Sequence, residues 1–141
     1  MTQPASVDSP PVPIPDDLTR FFWDGVNAHR LMILRCQACG HYVHYPRPVC
    51  NACLSTDLAP AQVSGRGTLY AWTIPVAHID RYFAEHSPYV YAVVELVEEP
   101  GLRMVTNIVD CPEDELQADM PVEVVFREVA PGYTLPQFKR A

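Results

Sequence analysis

Four cysteines stand in two tight pairs, Cys36-Gln37-Ala38-Cys39 and Cys50-Asn51-Ala52-Cys53, with ten residues between the pairs. Two residues between cysteines let one turn aim both sulfurs at a common point. Two such turns facing each other make a tetrahedral cage of four thiolates. That cage suits zinc first. A mononuclear redox iron accepts the same ligands, and two disulfides are the remaining reading. The insert between the pairs is shorter than the usual four-cysteine spacing, yet sufficient for a compact two-knuckle ribbon. Disulfides rank last because the chain opens Met1-Thr2-Gln3-Pro4, with no basic stretch and no apolar run of a secretory leader. A cytoplasmic location is expected on the same ground. Four thiolates leave the metal no open position, so it is expected to hold a shape and not to run a reaction.

Other reactive side chains do not assemble into a catalytic pattern. Cys111, beside Pro112, sits at the start of a possible helical turn, where the dipole favours a thiolate, but Glu113, Asp114 and Glu115 oppose it. A structural cysteine is the better reading. His41 and His44 flank the first knuckle and are superfluous as ligands beside four sulfurs, so they read as surface or interface residues. His29, His78 and His86 show no triad spacing, and neither a phosphate-binding glycine loop nor a nucleophile elbow occurs. Gly65-Arg66-Gly67 is too short for a nucleotide fingerprint and marks a tight crossing. No catalytic residue is assigned.

Size and charge narrow the classes further. A length of 141 residues fits one domain, or a small domain with an appendage, and no apolar run reaches a membrane span. The formal charge of −7 becomes about −9 when four thiolates and one zinc ion replace four thiols. Residues 25–66 carry Arg30, Arg35, Arg47 and Arg66 against Asp57 alone, whereas residues 67–141 carry twelve acids and five bases. A modestly basic ribbon thus adjoins an acidic body, which is a poor general binder of nucleic acid.

The elements that must position these residues follow from pattern. Residues 1–15, with prolines at 4, 10, 11, 13 and 15, read as a disordered arm. Asp16 and Asp17 suit a helix start, and Leu18, Phe21, Phe22 and Val26, with Trp23, have helical spacing that Gly25 threatens to interrupt. Such an aromatic helix must pack on the body of the protein or on another subunit. Leu31–Arg35 reads as a strand delivering Cys36, and His41–Val49 as an irregular return strand. Strands are expected over Ala61–Val63, Gly67–Val76, Tyr89–Val97, Leu102–Val109 and Val122–Val129, with a short last one near Tyr133–Phe138. Ile79–His86 and Pro112–Leu116 suit short helical turns. The fold class is therefore mainly β: an N-terminal helix and a rubredoxin-like zinc ribbon over 16–60, then a small OB-fold barrel over 61–141.

Several segments in this order resemble one known family. They are Phe22-Trp23-Asp24, Arg35 to Gly40, Pro46 to Cys53, Gly65 to Thr68, Tyr70 to Thr73, Pro88 to Glu95 and Met120 to Phe126. The resemblance, from about residue 16 onward, is to the zinc-ribbon/OB-fold proteins associated with acyl-CoA metabolism, long catalogued as a domain of unknown function. Leu54 departs from it, standing where a glycine often follows the second pair. The resemblance implies a non-catalytic accessory subunit of a thiolase-like enzyme, such as a sterol-carrier-type thiolase or a retro-aldolase of steroid, lipid or aromatic-acid breakdown. A MaoC-like hydratase is a further partner it implies. It also implies a CoA thioester held jointly with the partner. CoA phosphates want cations, which makes Arg66, Arg103, Lys139 and Arg140 the candidate contacts, with Tyr70, Trp72 or Phe138 to stack on adenine. The alternative is a single-stranded nucleic-acid module, since ribbons and OB-folds both serve there. A stand-alone thioesterase comes last.

Overall fold

The computed structural model describes residues 10–78 and 80–141. Most of the proline-rich arm, residues 1–9, lies outside these, as does Ile79. Within the described part of the arm, Pro10 is buried, and Pro13 and Pro15 line a shallow groove with Trp23 and Tyr133.

The first helix, α1, spans Arg20–Asn27. Asp16 organises its approach without capping it: its carboxylate accepts from the N–H groups of Leu18 at 3.0 Å and Thr19 at 2.9 Å. That local turn uses up the carboxylate, so the helix begins after Thr19, later than the sequence suggested. Phe22 and Val26 are buried, and Gly25 continues the helix. A Cβ on Gly25 would lie 2.6 Å from Met32 Cγ and 2.9 Å from the Arg30 carbonyl oxygen. Glycine here permits close approach and does not break the helix.

The ribbon is a three-stranded antiparallel sheet of β1 (Met32–Cys36), β2 (Tyr42–Val43) and β3 (Leu58–Gln62), in the order β2-β1-β3. The strand expected to open the barrel at Ala61 begins instead at Leu58 and pairs with β1, from Cys36 opposite Leu58 to Met32 opposite Gln62. With β2 covering only Leu34 and Arg35, β1 needs this second partner for its remaining backbone groups. Pro60 is tolerated because β3 is an edge strand.

The barrel is closed by β4 (Arg66–Thr73), β5 (Val90–Leu96), β6 (Arg103–Ile108), β7 (Pro121–Ala130) and β8 (Tyr133–Arg140), ordered β4-β5-β6-β8-β7. The last strand is longer than expected. A short helix, α2 (Arg81–Glu85), capped by Asp80 through a 2.8 Å bond from the Tyr82 N–H, joins β4 to β5. Alternation on β5 buries Val90, Ala92, Val94 and Leu96, and on β6 it buries Met104, Thr106 and Ile108. These residues pack with Leu69, Val122 and Phe138, and the same cluster runs into Phe22, Val26, Leu31 and Ile33. One core therefore spans barrel, helix and the first ribbon strand. A satellite of Leu34, Cys36, Val43 and Cys50 lies under the knuckles, and Phe21 touches both clusters. No described helix is long and apolar enough to cross a membrane.

The seam of the barrel lies between β6 and β8. These strands are parallel and share only the pair Ile108–Phe138. Beside it, Thr106 Oγ1 donates to the Pro136 carbonyl at 2.9 Å. This weak seam positions the groove described next.

Candidate functional site

The two cysteine pairs fold into near-identical knuckles. The Gly40 N–H donates to the Cys36 carbonyl at 2.9 Å, and the Leu54 N–H to the Cys50 carbonyl at 3.0 Å. The Cys36 N–H donates to His41 O at 2.8 Å, and the Cys50 N–H to Ser55 O at 2.9 Å. Both knuckles therefore need a left-handed residue after the second cysteine: Gly40 has φ 80° and Leu54 φ 66°. The four sulfurs lie within 4.8 Å of one another, with 3.5 Å between Cys36 and Cys53 and 3.7 Å between Cys39 and Cys50. None of the four is in a disulfide. A tetrahedral zinc with Zn–S near 2.3 Å sets its sulfurs about 3.8 Å apart, so the cage fits that ion. The Cys39 backbone N–H, first among several groups, lowers the Cys36 thiol to about 6. At Cys39 and Cys53 the backbone bonds are outweighed by burial and the neighbouring sulfurs, which raise Cys39 to about 12 and raise Cys53 as well, a crowding of sulfurs that a central cation relieves. Cys36, Cys39, Cys50 and Cys53 would hold the metal, which supplies a cross-link between the knuckles and no reactive position. Neither adjacent histidine joins them. His41 Nδ1 meets Glu99 at 3.0 Å, tying the ribbon to the turn between β5 and β6, and His44 turns into the second site.

That second site is a groove of about 430 Å³ along the barrel seam. Trp23 of α1, His44 and Tyr45 beyond β2, Phe83 of α2, Tyr91 of β5 and Val105 of β6 form its walls. The Val105 N–H, on the edge of β6 that β8 does not reach, donates to the Tyr45 hydroxyl at 3.0 Å. The ribbon thereby completes the groove. The His44 ring lies tilted against Tyr45, centroids 4.1 Å apart, and 5.8 Å from Phe22. Burial of the ring lowers its pKa to about 4, so it is uncharged at neutral pH. Among the described residues, no Asp, Glu, Lys or Arg lines the groove. Sequence reasoning missed this site. Its one available signal was the run of aromatics from His41 to Tyr45, which read as a return strand.

The candidate CoA cations do not form one cluster. Arg66 on β4 and Lys139 on β8 both lie opposite Glu123 of β7, and Lys139 Nζ is 3.5 Å from its carboxylate. Arg103 pairs with Glu95 at 3.4 Å and lies over the Tyr70 ring at 3.8 Å. Arg140 pairs with Glu115. Phe138 is fully buried and cannot stack on a ligand, which corrects that expectation: its side chain fills the barrel beside the seam. Trp72 and Tyr70 stay exposed.

A knuckled four-cysteine ribbon, joined through one helix to a five-stranded closed barrel, defines the zinc-ribbon/OB-fold class. Residues 23–59 match the family described as ChsH2, rubredoxin-like zinc ribbon domain, and residues 61–127 that described as ChsH2, C-terminal OB-fold domain. A DUF35 domain-containing scaffold protein of Methanocaldococcus jannaschii is 35% identical over 101 residues, covering 70% of this chain and 69% of that one. The chain belongs to the DUF35 family. A "Probable enoyl-CoA hydratase alpha subunit" of Thermomonospora curvata is 39% identical over 121 residues. The match takes in 86% of this chain but only 37% of that relative. Among solved structures, a chain of "Ltp2-ChsH2(DUF35) aldolase" superposes with a TM-score of 0.81 at 34% identity, covering 91% of this chain and 98% of that one.

Proposed function

We propose that this chain is a non-catalytic accessory subunit of a thiolase-like acyl-CoA enzyme, a thiolase or retro-aldolase, in the cytoplasm. It docks the partner and helps hold the CoA thioester. The observation that carries the reading is the near full-length likeness to a DUF35 chain of an aldolase. The metal cage supports it, because an all-thiolate site stiffens a surface and offers no open position for substrate. In this reading Arg66 receives CoA phosphate, while Lys139, Arg103 and Arg140 exchange their carboxylate partners for it. The relative named as a probable enoyl-CoA hydratase alpha subunit makes a MaoC-like hydratase the second partner to consider. Strands two and three of an OB barrel are its usual ligand face, and here that face offers a phosphate backbone one cation, Arg103, already paired with Glu95, while the groove beside it is lined by none among the described residues. Single-stranded nucleic acid is the poorer fit.

The test is affinity capture of the tagged chain from its native host, followed by co-expression with the enzyme recovered. A thiolase-like enzyme that gains solubility or turnover with the chain present is the expected result. Capture of a hydratase alone shifts the assignment to that partner. Turnover of a thioester by the isolated chain overturns the reading.

A further inference from the structure

We propose that the groove at the barrel seam binds an uncharged apolar group, the acyl portion of a thioester, apart from the charged CoA head. That the group is an acyl chain rests on the function proposed above; the chemistry of the groove stands independently. Its volume of about 430 Å³ falls among small-ligand sites. Its walls are aromatic and aliphatic, and a phosphate or carboxylate placed there would lose water and meet no counter-charge. The four cationic candidates all lie outside the lining.

The polar side chains among the lining residues are uncharged. The Tyr45 hydroxyl accepts from the Val105 N–H and keeps its own hydrogen to donate. Asn107 donates through Nδ2 to the Val90 carbonyl at 3.0 Å, which leaves its amide oxygen as an acceptor. His44 contributes ring surface to the wall, its Nε2 being buried away from the open space without a hydrogen-bond partner among the described residues. Burial also keeps that ring uncharged. A few neutral donors and acceptors among apolar walls orient a keto or hydroxyl group on a hydrophobic ligand.

Binding can be read on the full chain without the partner. In a Trp72→Phe background Trp23, in the groove wall, is the sole tryptophan. Progesterone serves as a rigid uncharged probe and 1-decanol as a flexible one. The expected result is a saturable change in Trp23 emission with at least one probe. Val105→Asp and Tyr91→Glu each place a charge in the groove from an exposed position, and should weaken binding by roughly ten-fold or more. Val97→Asp, exposed outside the groove, should leave it unchanged. No saturable change with either probe overturns the proposal, as does binding that ignores both groove variants. Displacement by CoA alone or by oligo-dT overturns the uncharged class. Release of probe in step with complex formation assigns the groove to a partner side chain instead. Failure to bind while the partner complex forms rejects the groove but not the accessory role; binding without any complex does the reverse.

Discussion

Leu54 and Gly40 occupy equivalent places in the two knuckles, yet only one of them is a glycine. A left-handed conformation costs a non-glycine residue about 1–2 kcal/mol, against an entropic cost of about 0.5–1 kcal/mol for glycine. Leu54 is 75% exposed, so its side chain returns little burial. Leu54→Gly is therefore expected to stabilise the second knuckle by about 0.5–1 kcal/mol. The measurement is the rate of zinc release to a chromophoric chelator, which should slow; an unchanged or faster rate means that the Leu54 side chain contributes packing. At this scale the sequence was most legible where chemistry is written in spacing. The four cysteines that cluster could be named, because two-residue inserts dictate a knuckle, whereas Leu54 stood out only against the glycine common in the family the chain resembles. His44 could not be assigned in the same way. Its burial depends on Tyr45 and Phe22 closing over it, and nothing in His41–His44 announces that α1 will pass there.

Among elements, the ribbon divides between two clusters, and this sets what metal removal does. Leu31, just before β1, and Ile33 within it belong to the main core, whereas Leu34, Cys36, Val43 and Cys50 form the satellite beneath the metal cage. Four buried residues make too small a core to hold two turns once the cross-link is lost. Chelation should therefore fray the knuckles and leave the barrel folded. Hydrogen exchange checks this: the amides of Gly40 and Leu54 should lose protection, while those of Val94 and Met104 keep theirs. Loss of protection in β5 and β6 as well would mean that the metal supports the whole fold. Strand positions were broadly readable from alternation, most clearly on β5 and β6. The allegiance of Leu58–Gln62 was not, because alternation says which residues face a core but not which neighbour completes a hydrogen-bond ladder. The seam between β6 and β8 was hidden for the same reason, and the groove with it.

For the molecule as a whole, α1 decides whether ribbon and barrel are one folding unit or two. The division expected at residue 60 treats them as separate, whereas the main core passes from Phe138 and Val122 in the barrel through Phe22 and Val26 to Leu31 and Ile33 in the ribbon. Phe22 sits at the crossing, edge-on to Trp23 at 5.0 Å and beside His44. Phe22→Ala removes a buried aromatic side chain, for which a loss of about 3–5 kcal/mol is typical. If the core is continuous, urea unfolding should stay a single transition that moves to lower denaturant, with strand circular dichroism and the β1–β3 amides reporting the same midpoint. If the ribbon folds by itself, the amides will lose protection early while the barrel signal stays where it was. Phe22→Leu keeps much of the volume and should recover most of the loss, which separates a packing defect from general misfolding. The first outcome makes α1 the joint that holds the groove's two walls in register: of the two surfaces open to the aromatic helix, the protein's own body is the one it uses, and the exposed Tyr45, Tyr91 and Val105 beside it remain for a ligand.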